Sequence, residues 1–379
     1  MSGCYLPQGY GVPGLLAPLQ AVLGGLIPGD GEALPEQGAI AEIPDGLPLR
    51  DGAAESPLRP VRVAVALSGG ADSAMLAVHA AIVQRQLPGI ELHCFHIHHG
   101  LQDVADHWLD HAHRLARGLG IACHSLWVAV ERNSGKGVEA AAREARYAGL
   151  KRLAAATGVS HILLAHHRND QTETILMRLL RGTGPVGLAA MAPIAERDGL
   201  TYLRPWLEVD RATIVAAADD YASHSGWAAV DDPTNVEDAY TRGAVRGRLV
   251  PVLDERWPAW RTILLRHARQ ARDLSLLLEE VAAEDFARLE PALDASDFSL
   301  AAWRELGAQR QVLVLRYWLG LHGLRAPTEA RMRELCRQLR GLHALGHDRS
   351  MRMRHESRLI LCERGRVRLS HLNDRLENR

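Results

Sequence analysis

A short polar segment at residues 68–73 is the first place where residue types and spacing suggest chemistry. It follows the apolar run 63–67 and precedes a segment with a helical pattern. Paired glycines allow a tight turn that presents backbone N–H groups to an anion, and the start of the next helix adds its dipole. Phosphate is the expected ligand, although a Gly-Gly turn with Asp72 or Ser73 as a helix cap would use the same residues. The residues that would surround the anion are Ser68, Gly69, Gly70, Ala71, Asp72 and Ser73.

This segment, the phosphate loop, lacks the Gly-Lys-Ser/Thr ending of a Walker P-loop, so the sequence does not favour a kinase or a GTPase. It resembles instead the SGGxDS loop of the PP-loop ATP pyrophosphatase superfamily. The resemblance implies an enzyme that cleaves ATP between its α and β phosphates, adenylates a substrate and releases pyrophosphate. It also implies that the loop binds ATP and that Asp72 helps to position Mg²⁺, which prefers oxygen ligands.

Two further segments are of interest, one with a pair of histidines and one with a pair of arginines. His98 and His99 end a predicted strand, where adjacent side chains diverge and cannot easily chelate one metal, so a nucleotide contact is favoured. Glu139, Arg143 and Arg146 share one face of a predicted helix. An exposed ion pair is the simplest interpretation of that face.

Two carboxylates stand three residues apart in the segment 165–174. Asp170 and Glu173 therefore lie on one face at the start of a predicted helix. The same spacing is typical of a capping box, with Asp170 as the cap and Glu173 returning to the backbone. A last polar segment, 232–242, begins Asp-Pro-Thr-Asn and ends Tyr-Thr-Arg.

Together these segments resemble the tRNA(Ile)-lysidine synthetase family over nearly all of residues 61–369. The resemblance implies that Asp170 and Glu173 bind the ε-amino group of lysine, and that Arg143 or Arg146 meets ATP or the adenylated intermediate. The residues that it assigns to catalysis are Asp72, Arg146, Asp170 and Glu173, and those that it assigns to ATP, besides the phosphate loop, are His98, His99 and Arg143.

This sequence departs from the family's pattern at two positions. Asn169 stands where the family often has aspartate, which leaves the neighbouring Asp170 as the matching carboxylate. Gly243 stands where the family has asparagine between two arginines, so a role of that asparagine does not carry over to this chain.

The resemblance implies a reaction in two steps that uses ATP and Mg²⁺. The wobble cytidine of the CAU anticodon of tRNA(Ile) is adenylated, and free L-lysine then displaces AMP to give lysidine, with Asp170 or Glu173 accepting a proton. The alternatives are a PP-loop tRNA thiolase and a non-catalytic tRNA-binding protein. A thiolase commonly uses paired cysteines, and the sequence has no CxxC pair. The intact phosphate loop argues against a protein that has lost catalysis.

The elements that must position these residues alternate short apolar strands with longer helical segments. This alternation indicates an α/β fold with a Rossmann-like parallel sheet covered on both faces, which the resemblance identifies as the N-type ATP pyrophosphatase sheet. A mostly helical C-terminal region follows, with a short strand pair near 351–369. Ligands of parallel sheets bind at the carboxyl ends of the strands. The predicted strands are 61–67, 91–97, 123–130 and 160–165, and the predicted helices are 72–86, 103–118, 137–157 and 169–181.

Four regions divide the 379 residues. We expect a poorly ordered extension at 1–58, a catalytic domain at 59–245, a helical linker at 246–297 and a tRNA-binding domain at 298–379. We expect no counterpart here of the further C-terminal domain that many family members have.

Charge and cysteine content bear on partners and location. Residues 242–379 contain 26 arginines and 18 acidic residues, so a net charge of −1 for the chain conceals a basic rear part. That part favours a polyanionic partner such as tRNA, although a solvated helical surface has the same composition. Five cysteines lie far apart in the sequence, and no apolar run approaches a membrane span. We expect a cytoplasmic protein without a membrane partner, and the sequence predicts no particular oligomeric state.

Overall fold

The computed structural model describes residues 6, 7, 9–27, 60–100, 105–131, 137–230, 241–342 and 351–371. Two compact units divide the chain. The first comprises Met1–Thr183 and Ala190–His267, and the second comprises Gly184–Ala189 and Ala268–Arg379. Within the described residues, every helix is too short or too polar to span a lipid bilayer.

The described residues form strands and helices that are numbered in chain order. The strands are β1 (Val61–Ala66), β2 (Ile90–His98), β3 (Ala122–Trp127), β4 (His161–Leu163), β5 (Ile194–Arg197), β6 (Leu200–Leu203), β7 (Asp297–Ser299), β8 (Met351–His355), β9 (Arg358–Glu363) and β10 (Arg366–His371). The helices are α1 (Pro13–Gly24), α2 (Ala71–Gln84), α3 (Ala105–Leu119), α4 (Val138–Thr157), α5 (Arg168–Leu180), α6 (Pro185–Leu188), α7 (Arg211–Ser225), α8 (Thr241–Ala244), α9 (Val250–Arg256), α10 (Trp260–Ala287), α11 (Leu300–Glu305), α12 (Ala308–Leu321) and α13 (Glu329–Gly341), with a π-helical turn at Val245–Leu249.

The first unit is built on a six-stranded sheet with the order β3-β2-β1-β4-β6-β5. All neighbouring strands are parallel except β5, which pairs antiparallel with β6. The predicted parallel α/β sheet is therefore confirmed. Because β1 lies between β2 and β4, the connections leave it in opposite directions and open a crevice at its carboxyl end, where ligands of such sheets bind.

Helices cover both faces of this sheet. Helix α2 contacts β1 and β2 on one side and α1 and α7 on the other. It is therefore apolar around most of its circumference, as expected for a helix without a solvent-facing side. The opposite face of the sheet packs against α4 through side chains such as Phe95 and Leu150.

The N-terminal helix α1 departs from the poorly ordered extension that we expected for residues 1–58. Leu15, Leu19 and Leu23 recur every four residues and are completely buried in the core of the first unit. Trp206 Nε1 donates a hydrogen bond of 3.1 Å to the carbonyl of Leu15. Burial of such a leucine stripe stabilises an otherwise weakly capped helix. Residues 28–58 lie outside the described residues.

His79 links α1 to the core. Its Nε2 accepts a hydrogen bond from the Val12 N–H at 3.2 Å, while Nδ1 donates to the Met75 carbonyl at 2.8 Å. Both bonds form together only in the neutral tautomer that carries its proton on Nδ1. Burial lowers the pKa of His79 to about 4, against an opposing effect of the Met75 carbonyl, so the ring stays neutral near pH 7.

The second unit combines helices α11–α13 with a four-stranded antiparallel sheet in the order β7-β10-β9-β8. Its core is aromatic and aliphatic, with Phe298, Trp303 and Trp318 fully buried. The strand pair predicted near 351–369 is thus three strands, and β7 joins them from an earlier part of the chain.

Candidate active site

The phosphate loop joins β1 to α2 and is fixed by its two serines. The Ser73 hydroxyl accepts hydrogen bonds from the Ser68 N–H at 3.1 Å and the Ser68 hydroxyl at 2.9 Å, and it donates to the Gly70 carbonyl at 3.1 Å. Gly69 has φ of +97°, a conformation that favours glycine. Gly70 precedes α2 without a side-chain cap. The helix therefore presents uncapped amides at the crevice, an arrangement that suits an anion.

Asp72 lies in the first turn of α2 and faces the segment that follows β4. Its Oδ2 is 3.7 Å from His167 Nε2 and 3.8 Å from Arg211 Nε. Its Oδ1 is buried and has no hydrogen-bond partner. A buried carboxylate oxygen without a partner is costly, and a divalent cation is one partner that would satisfy it. Asp72 therefore fits the Mg²⁺ role that the resemblance implies.

The rest of a metal shell is not supplied by protein groups in the described part of the chain. There, no three His, Cys, Asp or Glu side chains gather where they could hold an ion. Mg²⁺ commonly uses one or two carboxylates together with substrate phosphates and water. Such a shell is compatible with one aspartate beside a phosphate loop.

Helix α5 begins with a capping box, but its members differ from those expected. His167 is the cap, and its Nδ1 accepts a bond from the Asp170 N–H at 3.5 Å, while Asp170 Oδ2 accepts from the His167 N–H at 3.2 Å. The interpretation with Asp170 as the cap and Glu173 returning to the backbone is therefore wrong. The buried His167 ring lies between Asp72 and Asp170, with Nε2 at 3.7 and 3.4 Å from their Oδ2 atoms.

Asp170 and Glu173 are buried together and share two arginines. Glu173 accepts hydrogen bonds from Arg242 Nε at 2.9 Å and from Arg246 Nε at 2.6 Å. Asp170 Oδ1 lies 3.4 Å from Arg242 Nη2 and 3.3 Å from Arg246 Nη2. We call these four residues the acid–arginine cluster. The sequence predicted the carboxylates as a pair but not their partners, although the spacing of four residues between Arg242 and Arg246 placed both on one helical face.

Interactions within the acid–arginine cluster favour the charged forms of Asp170 and Arg246. Burial raises the pKa of Asp170, but His167 and Arg242 lower it by more, so the pKa lies below its ordinary value. Burial lowers the pKa of Arg246, but Glu173, Asp170 and Asp72 raise it by more. The Asp170 carboxylate is therefore suited to holding a cation.

Arg143 and Arg146 surround the buried ring of Tyr147, the next residue along α4. The guanidinium carbons of Arg143 and Arg146 are 5.2 and 5.9 Å from the ring centre. Arg143 Nη2 also donates to the Tyr147 hydroxyl at 3.3 Å. Arg146 Nε is buried without a hydrogen-bond partner, and burial lowers the pKa of Arg146. The side chain of Glu139 lies outside the described side chains.

Three histidines face the crevice from the ends of β2 and β4. Burial lowers the pKa of His99 to about 4, and the nearby Arg146 lowers it further. Burial lowers the pKa of His166 to about 3, although Asp170 opposes the shift. Each of these two rings has a buried Nδ1 without a hydrogen-bond partner. His98 is buried beside Trp127, with ring centres 5.4 Å apart. The neutral imidazoles of His99 and His166, each with an unpartnered Nδ1, suit a polar ligand at this edge.

An aromatic stack supports the phosphate loop from α3. The rings of His111 and Trp227 are 4.4 Å apart and nearly parallel, and Trp227 Nε1 donates to the His111 carbonyl at 3.3 Å. Three residues further on, the Val230 N–H donates to the Gly69 carbonyl at 3.2 Å. The stack thereby fixes the point at which the chain enters the polar segment 231–240, which lies outside the described residues.

Two of the cysteines that lie far apart in sequence are neighbours in the sheet. Cys94 on β2 and Cys123 on β3 are partners in the strand register. Burial raises the pKa of both thiols, that of Cys123 to about 12. A protonated thiol is a poor nucleophile and metal ligand, so this pair does not favour sulfur-transfer chemistry.

Comparisons with known proteins match both parts of the chain. Residues 52–253 match the PP-loop domain family, and residues 298–368 match the TilS substrate binding domain family. The chain is 57% identical over 308 residues to a tRNA(Ile)-lysidine synthase of Bordetella parapertussis, covering 81% of this chain and 89% of that protein. It is 45% identical over 286 residues to a tRNA(Ile)-lysidine synthase of Ralstonia nicotianae, covering 75% of this chain and 60% of that protein.

Proposed function

Because the chain belongs to the tRNA(Ile)-lysidine synthase family, we propose that it is an ATP-dependent ligase that attaches L-lysine to the wobble cytidine of tRNA(Ile) with a CAU anticodon. The observation that carries the proposal is the meeting of two features at the carboxyl ends of β1 and β4. The phosphate loop contains Asp72 and leads into α2 without a side-chain cap. His167 Nε2 lies 3.7 Å from Asp72 Oδ2, and His167 caps α5, the helix that contains Asp170 and Glu173.

In the first step, the cytidine carbonyl oxygen attacks the α-phosphate of ATP and pyrophosphate leaves. The amides at the start of α2 and the serines of the phosphate loop bind the departing pyrophosphate. Asp72 would hold Mg²⁺, which would supply positive charge to the phosphate oxygens. Arg143 and Arg146, with His98 and His99, orient the nucleotide at the neighbouring strand end.

In the second step, the amino group of lysine displaces AMP from the activated ring carbon. Asp170 and Glu173 bind the lysine ammonium group, a role that their burial and negative charge support. The lysine ammonium replaces arginine groups of the acid–arginine cluster as the hydrogen-bond donor to these carboxylates. His167 and Arg242 hold the pKa of Asp170 below its ordinary value, so the main task of Asp170 is to hold charge. Asp170 or Glu173 accepts the proton that lysine loses.

The basic C-terminal part of the chain binds tRNA. The match to a substrate binding domain over residues 298–368 supports this assignment, as do the arginines of that region. The arginines of α13 are weaker candidates than their number suggests, because Arg333 pairs with Glu329 at 2.6 Å and Arg337 with Glu334 at 2.5 Å. We expect the enzyme to act in the cytoplasm, where tRNA and ATP are available.

A reaction carried out without lysine tests the order of steps. Protein, unmodified tRNA(Ile), Mg²⁺ and ATP labelled at its α-phosphate are mixed, and the tRNA is recovered and counted. The proposal predicts label on the tRNA that is released as AMP when unlabelled lysine is added. Release of label as AMP without any labelled tRNA, and without dependence on tRNA, would refute it.

A further inference from the structure

Tyr147 is the centre of a group of four arginines that extends beyond the two residues noted in the sequence. The guanidinium carbon of Arg197, on β5, lies 4.3 Å from the centre of the Tyr147 ring, closer than those of Arg143 and Arg146. Arg204, which follows β6, hydrogen-bonds the Tyr147 side chain and donates from Nη1 to the Ala192 carbonyl at 2.8 Å. We call Tyr147 and these four arginines the tyrosine–arginine cluster.

Positive charge in the tyrosine–arginine cluster exceeds the negative charge around it. Among the described residues, Arg143, Arg146 and Arg204 have no carboxylate partner, and Arg197 faces Asp198 at 3.3 Å. Arg146 Nε and Arg204 Nε are buried donors without a hydrogen-bond partner. Burial raises the pKa of Tyr147, but Arg143, Arg146 and Arg204 lower it by more. A bound anion would accept hydrogen bonds from such donors and balance their positive charge.

The position of Arg197 separates this charge from the ATP phosphates. β5 is three strands away from β1 in the sheet order, a distance of about 14 Å at the usual strand spacing. The phosphate loop at the end of β1 already provides amides for the pyrophosphate portion of ATP. A second anion would balance the charge of the cluster on the side of Arg197, whose side chain is exposed.

We propose that the tyrosine–arginine cluster binds a phosphodiester group of the RNA chain beside the nucleotide that reacts. The proposal rests on the proposed function, because it takes tRNA as the substrate. Arg197 contacts the phosphate, and the buried Tyr147 is a positioning residue that keeps the mutually repelling guanidinium groups at fixed separations. Contacts of this kind hold the RNA in register without reading its sequence.

Direct binding measurements test the assignment without relying on catalysis. The Kd for tRNA is measured in the absence of ATP and lysine at a series of salt concentrations for wild type, Arg197→Gln and Arg152→Gln. Arg152 is the matched control, since it is an exposed arginine on α4 about 120° around the helix from Arg146. We expect Arg197→Gln to raise Kd about fivefold and to reduce the salt slope by about 0.7, while Arg152→Gln changes neither.

The KM for ATP distinguishes the two sources of phosphate. An unchanged KM for ATP in Arg197→Gln supports the RNA phosphate, whereas a raised KM with an unchanged Kd for tRNA would assign the anion to ATP and overturn the proposal. An unchanged Kd and salt slope would also overturn it. Tyr147→Phe keeps the ring and should retain most of the salt slope, whereas Tyr147→Leu should lose as much of it as Arg197→Gln does. If wild type binds tRNA with this salt dependence but forms no lysidine, the proposed function fails and the phosphate site stands.

Discussion

Replacing Glu173 with glutamine should destabilise the first unit. The Glu173 side chain is 6% exposed and accepts hydrogen bonds from two arginine Nε atoms, at 2.9 and 2.6 Å. Removal of its charge leaves Arg242 and Arg246 without their closest anion in a partly buried site. Loss of one member of a buried ion pair costs about 3–5 kcal/mol, and the partial exposure of both arginines favours the lower end, about 3 kcal/mol.

Thermal unfolding followed by circular dichroism measures this loss. For a unit of this size, about 3 kcal/mol corresponds to a fall in Tm of roughly 6–10 °C. Glu131→Gln, at an exposed position in the same unit, is the matched control and should leave Tm near that of wild type. A double-mutant cycle with Arg246→Gln should give a coupling free energy of about 1–3 kcal/mol.

The same variant separates a lysine pocket from a purely structural ion cluster. If Glu173 binds lysine, the variant that remains folded should show a higher KM for lysine, with transfer of labelled AMP to tRNA less affected. A Glu173→Gln protein with wild-type Tm would refute the energetic reasoning. One with lowered Tm but wild-type KM for lysine would leave the cluster structural only.

Three further predictions follow from other parts of the first unit. Asp72→Asn should abolish tRNA-dependent pyrophosphate release, because an amide is a poor Mg²⁺ ligand, while the Kd for tRNA stays near wild type; wild-type turnover would contradict the assignment. Leu19→Ala should lower the unfolding free energy in urea by about 3 kcal/mol, because the side chain is completely buried, and an effect below about 1 kcal/mol would show that α1 is not packed on the core. Since the folded pKa of His79 is depressed from 6.5 to about 4, the stability that its neutral form contributes is fully present above pH 6.5 and is lost as pH falls toward 4, by up to about 3 kcal/mol. His79→Gln should flatten urea-unfolding free energy against pH in that window, and an unchanged profile would contradict the role of the ring.

Features that depend on short stretches of chain were predictable from the sequence. The parallel sheet follows from strands and helices whose periodicity is local, and all four predicted strands overlap observed ones. The phosphate loop was equally accessible, because its glycines and serines are adjacent in sequence and act on one another across at most five residues.

Features that depend on distant residues were not predictable in the same way. The arginines that bind Glu173 lie 69 and 73 residues further along the chain, so neighbouring sequence gave no sign of their contact. Helix α1 lies in a Gly- and Pro-rich stretch, and its order depends on burial against the core rather than on local propensity. Tyr147 directly follows Arg146 in the sequence, but its contacts with Arg197 and Arg204 depend on the sheet that brings these arginines to it.

We propose that this protein joins lysine to a cytidine of tRNA. The most direct test is nucleoside analysis of unmodified tRNA(Ile) after incubation with the protein, ATP, Mg²⁺ and labelled lysine, with Asp72→Asn as the matched inactive control. We expect a labelled nucleoside with the mass of cytidine plus lysine minus water, formed by wild type in proportion to AMP released and absent with the variant. A tRNA whose cytidine is unchanged, while the protein binds both ATP and tRNA, would contradict it.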